Sequence, residues 1–152
     1  MHLLIFLEDK YKLSSTNNVN SCIHAYWPDL ETEPKLFKIV KQVMVHRPCS
    51  TNNPRAPCNN EKGQCTKKYP WSLQDGTTMD EEGYPIYHCP NDGREYIVRG
   101  VKVNNGYIVP HNPYLSVEYR CHINVECAVR YGDSCPLPSI IGVLTKAQVC
   151  IF

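Results

Sequence analysis

No run of apolar residues in this 152-residue chain approaches the ~20 needed to cross a bilayer as a helix, so no membrane span is expected. The first ten residues, MHLLIFLEDK, hold a single short apolar stretch, Leu3 to Leu7, with no basic flank before it. That is too little for a secretory leader, and no Asn-x-Ser/Thr glycosylation acceptor occurs anywhere. Neither sign of charge dominates: 16 Lys and Arg against 15 Asp and Glu leave a net +1, which argues neither for nor against nucleic acid. Phenylalanine is scarce, at three, whereas tyrosine reaches ten. Twelve prolines and eight glycines leave little room for long helices and imply frequent turns. At this length the chain is one ordinary domain with enough sequence to bury a core.

Cysteine, by contrast, is abundant, at nine residues. An odd count suits a disulfide scaffold poorly, and without a leader the expectation is an intracellular chain with reduced thiols. Three of the nine fall in one polar stretch, MVHRPCSTNNPRAPCNNEKGQC, with a histidine beside them. The spacing is His46-x2-Cys49-x8-Cys58-x6-Cys65. Zinc takes four nitrogen and sulfur ligands in a tetrahedron and accepts a Cys3His set, and a set closed by four protein ligands is structural rather than catalytic. The stretch has almost no apolar residues with which to pack, so coordination is a sufficient cause for its order. Pro48, Pro54 and Pro57 stiffen the free loop, and Gly63 permits a tight turn before Cys65. Unpaired thiols and disulfides are the other two readings. Cys22, Cys89, Cys121 and Cys150 read as small apolar residues or exposed thiols.

Along the chain, residues 2–7 read as a strand, apolar on both faces and therefore central in a sheet. Residues 8–21 read as a polar loop. The segment ETEPKLFKIVKQVMVH is the best helix, with Pro34 in its first turn and Leu36, Ile39, Val40, Val43 and Met44 as a buried stripe. Lys35, Lys38 and Lys41 fall on its solvated side. Beyond the cysteine loop come short strands: YPIYHC, REYIVRGVKV, GYIVP and LSVEYRCHINVEC. The NNG at 104–106 reads as the turn of a hairpin between REYIVRGVKV and GYIVP, and NDG at 91–93 as another turn. The class is α+β with a mostly antiparallel sheet and an inserted zinc-binding loop at 46–65. His122, Asn124 and Glu126 share one strand face, either solvated or bordering a cleft. Tyr107, Tyr114 and Tyr119 read as packing against the sheet, with base stacking as the other role. Residues 128–152 read as different sequence.

The order of motifs carries a resemblance. WPD, EPKLFKIVKQVMVHRPC, NPRAPC and GQCTKKYP, followed by DEEGYPIYHC, GYIVPHNPYL and HINVEC, resemble the Helitron helicase-like domain, the replication-initiator part of eukaryotic rolling-circle transposases. The likeness covers roughly residues 1–127, as the C-terminal portion of that domain. Arg47 stands where the family usually has Gly, and His111 where it usually has Tyr. The resemblance implies a partial HUH-endonuclease fold. In that chemistry two histidines on a strand hold Mg²⁺ or Mn²⁺, which polarises a scissile phosphate, and a tyrosine attacks phosphorus in single-stranded DNA. His2 matches the second metal histidine, and its partner would precede Met1. Tyr131 is the candidate remnant of the nucleophile, but Gly132 and Pro136 are poor helix residues and position 135 is Cys135 rather than a second tyrosine. Intact relatives are often fused to an ATP-dependent DNA helicase, whose Gly-x4-Gly-Lys-Ser/Thr phosphate loop does not occur here. The expectation is a fragment of such a transposon protein, nuclear or nucleocytoplasmic and inactive as a nickase. Arg55, Lys67, Lys68 and His122 are its candidate nucleic-acid contacts. The alternative is a non-catalytic, zinc-stabilised module that binds nucleic acid or a partner chain.

Overall fold

A computed structural model describes residues 3–5, 7–11, 13, 15–81, 85–129 and 140–145. His2 and Tyr131 lie outside the described residues, as do Cys135 and Cys150. The described chain mixes short helices with small antiparallel sheets, in the order β1 (Leu3–Ile5), α1 (Thr16–Cys22), α2 (Pro34–Val43), β2 (Thr78–Met79), β3 (Pro85–Ile86), β4 (Tyr96–Val98), β5 (Val101–Val103), α3 (Pro113–Tyr119), β6 (Glu126–Val129) and β7 (Ile140–Thr145). β7 is the middle strand of a three-stranded sheet, β1-β7-β6, so the segment 140–145 is built into the same sheet as the start of the chain. β1 is therefore an edge of the described sheet rather than its centre. Among the described residues no helix is long and apolar enough to cross a membrane.

α2 follows from its sequence. Pro34 occupies its first turn, and Leu36, Phe37, Val40 and Met44 are buried while Lys35, Lys38 and Lys41 face solvent. A ten-residue helix is marginal alone, and burying each of these side chains contributes roughly 1.5–3 kcal/mol. They pack with Trp27, Tyr69, Val103, Ile108 and Val109 into one core cluster. A second cluster gathers Leu13, Val19, Ile23, Ala25, Tyr87, Ile123, Val125 and Cys127. Trp71 packs against both.

Other expectations change as well. Residues 16–22 are helical, not loop: Ser15 caps them by accepting from the Asn18 N–H, although Val19 is the only buried residue they contribute. Residues 113–119 form a helix, where a strand from 115 was expected. Asn112 caps its start by accepting from the Leu115 N–H, Pro113 sits in its first turn, and Arg120 ends it in the left-handed region. The regular alternation survives only beyond it, where Ile123, Val125 and Cys127 are buried and His122, Asn124 and Glu126 are half-buried. Tyr114 and Tyr119 accordingly sit exposed on α3 instead of packing on a sheet. The hairpin turns at Arg99 and Gly100, both at positive φ as a tight two-residue turn requires. Asn104 instead caps a 3-10 turn at Asn105–Tyr107 by accepting from the Gly106 N–H.

Candidate metal centre

His46 leaves the end of α2 on a short extended stretch. Val109 N–H donates to Met44 O at 2.8 Å, and His46 N–H donates to Tyr107 O at 2.8 Å, so the backbone of the histidine is fixed by two strandlike contacts. The loop that follows is a chain of turns: Asn52 N–H to Cys49 O, Asn53 to Ser50, Ala56 to Asn53 and Asn59 to Ala56. Asparagine side chains tie these turns together. Asn59 accepts from the Ser50 N–H at 3.0 Å and donates to the carbonyls of Asn53 and Pro54. Asn60 accepts from the Lys62 and Gln64 N–H groups. Gly63 sits at φ +73°, which favours glycine, and Thr66 N–H donates to Cys58 O at 2.7 Å. The polar composition of the stretch is thus used for internal capping.

These turns bring four ligand atoms together. His46 Nε2 lies 3.5 Å from Cys49 Sγ, 3.6 Å from Cys58 Sγ and 3.5 Å from Cys65 Sγ. All four ligand atoms lie within 4.8 Å of one another, and no other group of three or more such residues converges among the described residues. On a tetrahedral zinc with bonds of about 2.0–2.1 Å to nitrogen and 2.3 Å to sulfur, the nitrogen–sulfur edges come to about 3.6 Å. The cluster could therefore hold a structural metal such as zinc with almost no movement. The seven described cysteines are all free thiols.

The electrostatics act unequally on the ligands. Burial, helped by the Lys67 ammonium and the neighbouring His122, lowers His46 to about 4, so its imidazole is neutral and ready to ligate. Burial, reinforced by hydrogen bonds within the thiol cluster, pushes Cys49 up to about 11. Burial also acts against ionisation of Cys65, but backbone N–H donors from Tyr69 and Lys67 overcome it and hold that thiol below its usual range. Backbone donors on a ligating sulfur are the outer-shell support expected of a structural centre.

One side of the site is aromatic. The His46 ring stacks on Tyr69 with 4.1 Å between centroids, and Tyr69 stacks on Trp71 at 5.0 Å, both 10° from parallel. Trp71 is anchored in turn: its backbone N–H donates to Gly106 O at 2.8 Å and its Nε1–H donates to Lys67 O at 3.2 Å. This column was not foreseen; Tyr69 and Trp71 two residues apart just after the last cysteine were the available signal.

The remaining candidates are spread differently. Arg55, Lys67 and Lys68 are exposed on the loop, with Arg47 and Lys62, against one acid there, Glu61. Among the described residues none of the five is in an ion pair. His122 is half-buried, and its Nδ1–H donates to Val43 O at 2.8 Å, closing a carbonyl at the end of α2. Asn124 donates to Glu126 at 2.7 Å. No protein-family model matches the chain, and no curated protein resembles it closely enough in sequence to count as a relative.

Proposed function

We propose that this chain is a zinc-stabilised module for single-stranded DNA, descended from the replication-initiator domain of Helitron-type rolling-circle transposases. The observation that carries this reading is the distribution of charge around the metal cluster. The whole chain is nearly neutral, at +1, yet residues 46–68 hold five exposed basic side chains and one acid. A loop pinned by an ion holds those cations in fixed places, where they can meet successive phosphates. The Cys3His donor set favours zinc over Mg²⁺ or Mn²⁺, which prefer oxygen. A partial HUH-type fold built on the β1-β7-β6 sheet belongs to this reading, as does a nuclear or nucleocytoplasmic location. Metal-dependent strand cleavage is not part of it, because Tyr131 is followed by the poor helix residues Gly132 and Pro136 and by Cys135 where the resemblance implies a second tyrosine.

The test is fluorescence anisotropy of a labelled single-stranded oligonucleotide titrated with zinc-loaded protein at several salt concentrations. Binding should weaken steeply with salt. Replacing Lys67 and Lys68 together by alanine should flatten the log–log slope by about 1.4, at about 0.7 per lost phosphate contact. Absence of binding at low salt overturns the proposal. A covalent, tyrosine-dependent adduct formed with Mg²⁺ or Mn²⁺ would replace it with a nickase.

A further inference from the structure

Three other imidazoles gather where the segment between α1 and α2 meets the segments after β3 and before α3. His24 and His111 form an antiparallel bridge, each backbone N–H donating to the other's carbonyl at 2.9 and 3.0 Å. Residues directly opposite in such a pair project their side chains from the same face. Their rings meet edge to face at 6.3 Å. Tyr26 stacks on His24 at 4.8 Å and meets the His88 ring at 5.3 Å.

His111 is completely buried, and its Nδ1–H donates to Val109 O at 3.0 Å. A carbonyl only accepts, so the proton sits on Nδ1 and the lone pair on Nε2. That Nε2 is buried with no hydrogen-bond partner. A buried polar atom left so is costly and calls for a water or an ion. An imidazole that donates one nitrogen to a backbone carbonyl and offers the other is the posture of a metal ligand. Burial lowers both rings, His111 to about 4, so both are neutral, the form that ligates. The Glu33 carboxylate acts on both His24 and Tyr26, with His88 opposing it at His24 and Arg94 at Tyr26. His24 is half-buried, which leaves a way in.

We infer that His24 and His111 form a second cation site, for a late first-row transition-metal ion held by two imidazole nitrogens with water completing the shell. Such ions accept imidazole readily. Two rings on one ion have centres roughly 5–6 Å apart, given bonds of about 2.0–2.1 Å, close to the 6.3 Å between His24 and His111. The site stands apart from the cysteine cluster and does not depend on nucleic-acid binding.

Cobalt(II) separates the two sites, because only thiolate ligands give sulfur-to-metal charge-transfer bands. The reduced, metal-free protein is titrated with Co²⁺ while bound metal is counted by equilibrium dialysis. The expected result is two equivalents, with the sulfur bands complete after the first. His24→Ala should lose the second equivalent and keep full sulfur bands. His111→Phe should do the same, with circular dichroism confirming its fold. One equivalent in the wild type, the outcome if Nε2 faces only a buried water, overturns the proposal. So does a second equivalent that survives His24→Ala. Failure of the cysteine site would appear separately, as missing sulfur bands.

Discussion

The imidazole of His46 lies flat against the ring of Tyr69, 4.1 Å between centroids and 10° from parallel. Tyr69 is buried in the core that α2 builds, so the metal ligand is braced by the same packing that holds the helix. Tyr69→Leu should therefore weaken metal binding about 10–100-fold with all four ligands intact, as loss of an outer-shell support does. Tyr69→Phe, which keeps the ring, should stay close to wild type. Competition for zinc against a chromophoric chelator measures both. Equal weakening by Leu and Phe would show that the stack has no orienting role.

The next support in the column can be tested at a distance from the metal. A Cβ on Gly106 would sit 2.6 Å from the carbonyl oxygen of Trp71, a backbone atom that cannot swing away. Gly106→Ala should destabilise the fold by about 1–3 kcal/mol through that overlap. It should also lower zinc affinity, because Trp71 carries Tyr69. Urea denaturation of the zinc-loaded and metal-free forms reads both effects. A change under about 0.5 kcal/mol would mean the backbone relaxes freely there.

Acid should destabilise the protein in a defined window. The unfolded chain protonates His111 near the ordinary 6.5, whereas burial keeps the folded form neutral down to about 4. The unfolded state then binds more protons, so stability falls as pH drops from 6.5 to 4, by about 3 kcal/mol from this residue. In metal-free protein His46, which burial also holds near 4, adds a like contribution over the same window, so the His111 share is read as the difference from a variant. His111→Phe should flatten the slope over that window in urea titrations from pH 7 to pH 4. An unchanged slope would place the acid sensitivity elsewhere.

Legibility in the sequence followed the physics of each element. The metal set was legible because four ligand residues stood in a stretch with nothing apolar to pack, and α2 because five apolar residues kept helical spacing. α1 was hidden because Val19 is its only buried residue, so no periodicity exists to read. α3 was read as a strand because its alternation imitates one; the Asn112–Pro113 start was the better signal. The hairpin was misplaced because Asn104 and Asn105 resemble turn residues. Asn105 is instead buried, accepting from Trp27 N–H and donating to Pro90 O and Asp92. The His24–His111 pair joins positions far apart in the chain, and nothing local announces such a contact.

The most direct measurement is X-ray absorption on protein loaded with one equivalent of zinc, beside a Cys58→Ser variant. The first shell should hold three sulfurs at about 2.3 Å and one nitrogen at about 2.0–2.1 Å, with one sulfur lost in the variant. A shell of nitrogen and oxygen alone, or one that Cys58→Ser leaves unchanged, would contradict the metal centre and the loop order derived from it.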